Sequence, residues 1–195
     1  MTYTITTRYQ VTNPSQIIDK APEVRQKIIA AGAKRLELLQ PIAAGPHVDV
    51  ILAISAWDSV DAGIDAMGGL YADSDIQAMR ADNPTLGREI SKVLKSGGEI
   101  EGQYVGMVRG TATELSDRGF ERTWEIGNSL GINAVRASQS IAGGNHVGSY
   151  RAMFFCDSVD AWVQTSVQLR ADDEYLQEAA RTNWNVIFRG VARRL

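Results

Sequence analysis

The sequence predicts an α+β fold: two ferredoxin-like β-α-β-β-α-β repeats that close into an intramolecular pseudo-dimeric α+β barrel. Three observations carry this. First, the chain repeats itself at a displacement of 99: QPIAAGPHV at 40–48 returns as QSIAGGNHV at 139–147, and DSVDA at 58–62 returns unchanged at 157–161. Leu70, Ala72 and Asp73 recur as Leu169, Ala171 and Asp172, with no gap from Gly32/Gly131 to Asp73/Asp172. Second, each half carries the same succession of strand and helix signals. Third, a four-stranded sheet with helices on one face needs a cover for the other, and a second copy supplies it. The repeats are 1–97 and 98–195, joined at Gly97-Gly98 by too short a stretch for a flexible linker.

Each element follows from local chemistry. Residues 3–11, rich in Thr, Tyr and Ile, read as a strand. Asn13-Pro14 starts a helix, carried on by Val24, Ile28 and Ala31 and capped by Gly32. Pro22 is expected to break or restart that helix, since it lacks an N–H and clashes with the preceding turn. Strands are expected over about 34–42 and 47–57, with a turn at 43–46. Asp58 is expected to cap a second helix with Asp61 in its first turn, and Asp73 a short one ending near Arg80. Pro84 closes that segment, and a fourth strand covers about 89–95. The second half predicts strands at 100–109, 133–141, 146–156 and 187–194, with helices at 113–130, 158–170 and 172–181.

Composition removes some functions. The net charge is −3 and the pI near 5.4, so there is no basic field to displace counterions from a nucleic acid or to hold an anionic membrane. No apolar run approaches the roughly 20 residues of a spanning helix, and the N-terminus is not patterned as a secretory signal. Cys156 is the only cysteine, which excludes an intrachain disulfide. These features predict a cytoplasmic protein, monomeric or oligomeric through exposed strand edges.

The strand before Asp58-Ser59-Val60-Asp61-Ala62, the Ala72-Asp73-Ser74-Asp75 segment and its counterpart at 171–175, and the closing strands at 88–94 and 186–191 resemble the dimeric α+β barrel superfamily. The likeness is to its antibiotic-biosynthesis-monooxygenase-like and NIPSNAP-like branches, and it covers nearly the whole chain. It implies the barrel and a range of activities: cofactor-free oxygenases, isomerases, polyketide cyclases, haem binders and inactive members. Oxygenase members use an Asn and a Trp, the Trp two positions before the residue that opens the helix. Ala56 and Phe155 stand there in this chain, Trp57 stands one position later, and Cys156 matches Trp57.

Candidate functional residues follow from the face of each strand. Leu36, Leu38, Gln40 and Ile42, with Val135, Ala137, Gln139 and Ile141, form the expected helix-packed face. The alternate face carries Arg35, Glu37 and Leu39 in one half, and Ala134, Arg136 and Ser138 in the other. On the third strands Leu52, Ile54 and Ala56 align with Arg151, Met153 and Phe155. A barrel lined by this face would have an apolar wall opposite Arg136, Ser138, Ser149 and Arg151, with Arg109 added from a first strand. Those arginines suit a carboxylate, enolate or phenolate of an aromatic or polyketide-like acid. The alternative is an internal ion-pair network of Arg136 and Arg151 with Glu37. His47 and His146, repeated at the hairpin ends, are either turn residues or a base or haem ligand. No metal site is expected and no cofactor, with haem the alternative. The enzymatic reading is a cofactor-independent oxygenase, isomerase or cyclase; the rival is a non-catalytic binding protein.

Overall fold

The computed structural model describes residues 1–12, 14–45 and 49–195. The first half contains strands β1 (Tyr3–Gln10), β2 (Arg35–Ala43), β3 (Val50–Trp57) and β4 (Thr85–Gly98), with helices α1 (Pro14–Ala30), α2 (Val60–Tyr71) and α3 (Ser74–Asp82). The second contains β5 (Tyr104–Thr111), β6 (Ile132–Ala142), β7 (Tyr150–Cys156) and β8 (Asn185–Arg194), with α4 (Asp117–Ser129), α5 (Val159–Ala171) and α6 (Asp173–Arg181).

All eight strands close into one antiparallel barrel in the order β1-β3-β2-β8-β5-β7-β6-β4. Each half is a ferredoxin-like sheet, and two junctions join them. The β4–β6 junction runs from Ile90↔Ala142 to Gly98↔Ala134, while β2–β8 runs only from Leu39↔Arg194 to Ala43↔Val191. Every strand therefore has two neighbours within the chain. The barrel interior is a packed core of Leu39, Ile54, Val105, Met107, Ala134, Met153, Phe155 and Ala192. Helices cover the outside of each sheet.

Register refines the repeat. Tyr3 pairs with Trp57 and Tyr104 with Cys156, so the first strands correspond at a displacement of 101 while the third strands correspond at 99. Ile5 is thus the counterpart of Gly106. The halves then fill the sheet–helix contact in opposite ways. In the first, Trp57 and Ile5 project from the sheet onto Gly63 of α2, where an added Cβ would lie 2.7 Å from Ile5 Cδ1 and 3.0 Å from Trp57. In the second, Trp162 projects from α5 onto Gly106 of the sheet, where a Cβ would lie 2.4 Å from the indole.

Several local expectations need correction. α1 runs unbroken through Pro22, with Ile17 buried and Ala21, Val24 and Ile28 packed in a cluster with Leu36 and Leu38. The residues that cap α2 and α5 are Ser59 and Ser158, not Asp58 and its counterpart Asp157. Their extended backbones let each hydroxyl accept the N–H three residues on, at 3.1 Å. Asp58 instead pairs with Lys34, and Asp157 accepts from Asn133. Asp73 and Asp172 do cap α3 and α6. α4 begins at Asp117 rather than 113, because Ser116 supplies its cap. β4 is longer than a lone repeat suggests, since it serves β1 with one end and β6 with the other. The proposed Asn13 cap, and Pro46 of the first hairpin turn, lie outside the described residues.

Candidate functional site

Alternation along the strands carries Glu37, Arg136, Ser138 and Arg151 into the barrel, where they border a void of only about 10 Å³ with Ile54 and Phe155. Arg109 Nη2 donates to both Glu89 oxygens at 2.8 and 2.9 Å, and its Nη1 donates to Ser149 Oγ at 2.9 Å. Arg151 Nη1 donates to Thr6 Oγ1 at 3.2 Å and lies 3.8 Å from Glu89. The anticipated pairing of Arg136 and Arg151 with Glu37 does not form. Glu37 is held by Arg35 and, at 2.8 Å, by Arg194 Nε. Burial would raise the Glu89 carboxyl, but Arg151 and Arg109 outweigh it and hold it below its usual range. Burial, with Arg109 nearby, pushes Arg151 down to about 10 against the pull of Glu89. The filled barrel thus has no room for an aromatic acid among these residues.

The histidines sit elsewhere. His146 ends a 3-10 turn, Gly144–His146, on the surface; its carbonyl accepts from the Ser149 N–H and hydroxyl. His47 lies outside the described residues. Cys156 is fully buried, and burial raises its thiol to about 11, so it is core. Among the described residues no group of three or more His, Cys, Asp or Glu side chains could hold a metal, and no helix is long and apolar enough to cross a membrane.

The room lies on the outside of the second-half sheet, beneath α4, α5 and α6. A cavity of about 90 Å³ opens there, floored by Val108, Val135, Ala137, Ala152 and Phe154 and walled by Phe120, Trp162, Tyr175 and Trp184. At the first-half counterparts of Val135 and Ala137 stand Leu36 and Leu38, both buried in the cluster with Ala21. Polar contacts between helices fix the roof. Ser116 caps α4 and donates to Glu178 at 2.5 Å, and Arg122 reaches from α4 to the α6 cap Asp172 at 2.6 Å.

Several polar groups border this apolar space. Glu178 and Glu114 share Arg181, at 3.0 and 2.6 Å. Bonds from Arg181 and Ser116 hold the Glu178 carboxyl below its usual range. Arg189 also lines the cavity and, among the described residues, has no carboxylate within ion-pair distance. Burial raises the Tyr175 hydroxyl, with nearby Arg189 and Trp184 pulling the other way. The buried Trp184 Nε1 lies beside that hydroxyl without meeting hydrogen-bond geometry. The sequence reading missed this cavity because it sought the site on the barrel face. The one signal available was large-to-small change between aligned positions, Leu36 to Val135 and Leu38 to Ala137.

No family model matches the sequence, and no curated protein matches it. Among solved structures the chain is similar to an anthrone oxidase-like protein, at 13% identity and TM-score 0.59, over 100% of this chain and 91% of that one. It is similar to a haem-binding protein from Thermus thermophilus, at 11% identity and TM-score 0.65, over 100% and 91%. A chlorite dismutase from Candidatus Nitrospira defluvii matches at 9% identity and TM-score 0.61, over 100% and 90%. The chain has the dimeric α+β barrel fold, closed within one polypeptide.

The expectation of no cofactor does not stand, because structures of this fold include that haem-binding protein. Haem must therefore be tested against the residues present. The cavity is far smaller than the several hundred Å³ typical of pockets for ligands of that size, and His146, the one described histidine, does not line it. The residues at this cavity do not fit a histidine-ligated haem.

Proposed function

We propose that the protein binds a compact aromatic acid in the second-half cavity, ring inward and carboxylate toward Arg189. The observation that carries this reading is the pairing of an aromatic-walled cavity with an arginine that no carboxylate neutralises among the described residues. Glu114 and Glu178 are both occupied by Arg181, so their charges do not reach Arg189 as an ion pair. At about 90 Å³ the space is smaller than the roughly 150 Å³ apolar cavity that admits benzene, so a single ring enters only in part and its polar end stays in the opening. Trp162, Phe154 and Trp184 offer the ring faces and edges; the Tyr175 hydroxyl and Trp184 N–H offer polar contacts.

The test is a fluorescence titration, since Trp162 and Trp184 line the cavity. Benzoate is expected to quench saturably and more tightly than benzyl alcohol, by about 10-fold or more for one charge-assisted bond. Arg189→Met should erase that difference, and Ala137→Leu should remove binding of both. No saturable quenching by benzoate, or unchanged quenching in Ala137→Leu, would overturn the proposal. The anthrone oxidase-like protein of the same fold makes oxygen consumption with a phenolic acid the first activity to assay.

A further inference from the structure

The barrel interior is over-supplied with positive charge. Arg35, Arg109, Arg151 and Arg194 converge on two carboxylates, Glu37 and Glu89, and Arg136 borders the same void as Glu37. Arg35 and Arg194 take Glu37; Arg109 Nη2 donates to both Glu89 oxygens, with Arg151 farther off at 3.8 Å. Arg136 makes neither an ion pair nor a hydrogen bond among the described residues. Its guanidinium is disfavoured by burial and by Arg35, with Glu37 only partly offsetting this.

The void of about 10 Å³ beside these groups is polar on one side, bordered by Thr4, Arg136, Ser138 and Arg151. Three buried polar atoms lack any hydrogen-bond partner there: Thr4 Oγ1, Arg136 Nε and Arg151 Nε. Thr4 is 3% exposed and Arg151 7%, so both are cut off from bulk water, while Arg136 is only partly buried. All three can donate. Orphaned donors at this depth are costly, more so when charged, unless something accepts from them. A space of about 10 Å³ is at the lower limit for a single water, so a slightly larger monatomic ion requires the bordering side chains to give a little, and a carboxylic acid or phosphate is excluded. Glu37 also borders the void, but Arg35 and Arg194 hold its carboxylate.

We infer that the barrel encloses one monatomic anion of chloride size, bound by Arg136, Arg151 and Thr4. A water would satisfy the same geometry but leave the excess positive charge; a halide balances part of it. The ion is a structural ligand inside the barrel, whereas the second-half cavity lies on the outside of the sheet; Arg151 borders both spaces.

Two measurements decide this. In thermal unfolding at fixed ionic strength, replacing sodium gluconate by sodium chloride is expected to raise the midpoint along a saturating curve, as a site present only in the folded state requires. Crystals grown in bromide are expected to show one anomalous peak between Arg136 and Arg151. Arg136→Met and Thr4→Val should each flatten the chloride curve. If either variant fails to fold, the wild-type titration and the bromide peak still decide. Identical midpoints in chloride and gluconate overturn the inference, whether the density is a water or an adventitious ion only, bound at crystal concentration.

Discussion

The two halves share a topology but fill it in reverse. In the first, the tryptophan stands on the strand and the glycine on the helix; in the second, the glycine is on the strand and the tryptophan on the helix. Trp57 is 1% exposed, and its indole N–H donates to Ser55 at 2.7 Å. Trp162 packs on Phe154 with ring centroids 4.9 Å apart. With the sheet surface closed by Trp57, Leu36 and Leu38 pack directly under α1. With the bulk moved onto the roof, Val135 and Ala137 leave space under α4 and α6. A barrel built from two like halves can thus keep one half as solid scaffold and open the other.

The comparison breaks most readily at the tryptophans. Trp57→Ala and Trp162→Ala should each cost about 3–5 kcal/mol in denaturant unfolding. Only Trp162→Ala should also alter benzoate quenching; equal ligand effects from both would dissolve the distinction. Glu89→Gln should cost a similar amount, about 3–5 kcal/mol, because it leaves Arg109 and Arg151 buried without their charge partner. The sign with pH follows from the depressed carboxyl. Its stabilisation is present above the usual value of 4.5 and is lost as pH falls through the lower folded value, so Glu89→Gln should flatten acid unfolding. Unchanged slope would mean that Glu89 is not held as the geometry implies.

The scaffold and cavity roles predict unequal tolerance. Leu38→Ala should cost about 2–5 kcal/mol, while its mirror substitution Ala137→Leu should cost under about 1.5 kcal/mol, because only the second half has the room. Equal costs, measured by urea midpoints, would argue against the cavity. The smallest effects concern what the halves share. Ser59→Ala and Ser158→Ala should each cost about 1 kcal/mol, with neither exceeding the other by much.

Much of the architecture was legible because the repeat preserves hairpins and helix caps as recognisable words. The inward-facing residues were legible too, since Arg136, Ser138 and Arg151 follow from strand alternation alone. What they do once inside was not. Glu89 comes from the fourth strand, whose partners are set by closing the barrel, and Arg194 from a strand end with no periodicity to orient it. The choice of Ser59 over Asp58 as cap turns on the backbone conformation of one residue, finer than any residue pattern specifies. The cavity depends on helix placement over the sheet, which neither composition nor spacing reports.

The unequal lengths of the two junctions make the barrel a ring with a strong side and a weak side. The β2–β8 contact ends near the chain terminus, where Arg194 reaches Glu37 and the Leu195 N–H bonds the Leu38 carbonyl. Opening there would leave each half folded and joined by β4–β6, converting a closed circuit into an open strip with two complementary edges. Two such strips could close on each other rather than on themselves. The same bonds that let one chain do the work of two are therefore those whose loss would let two chains trade partners.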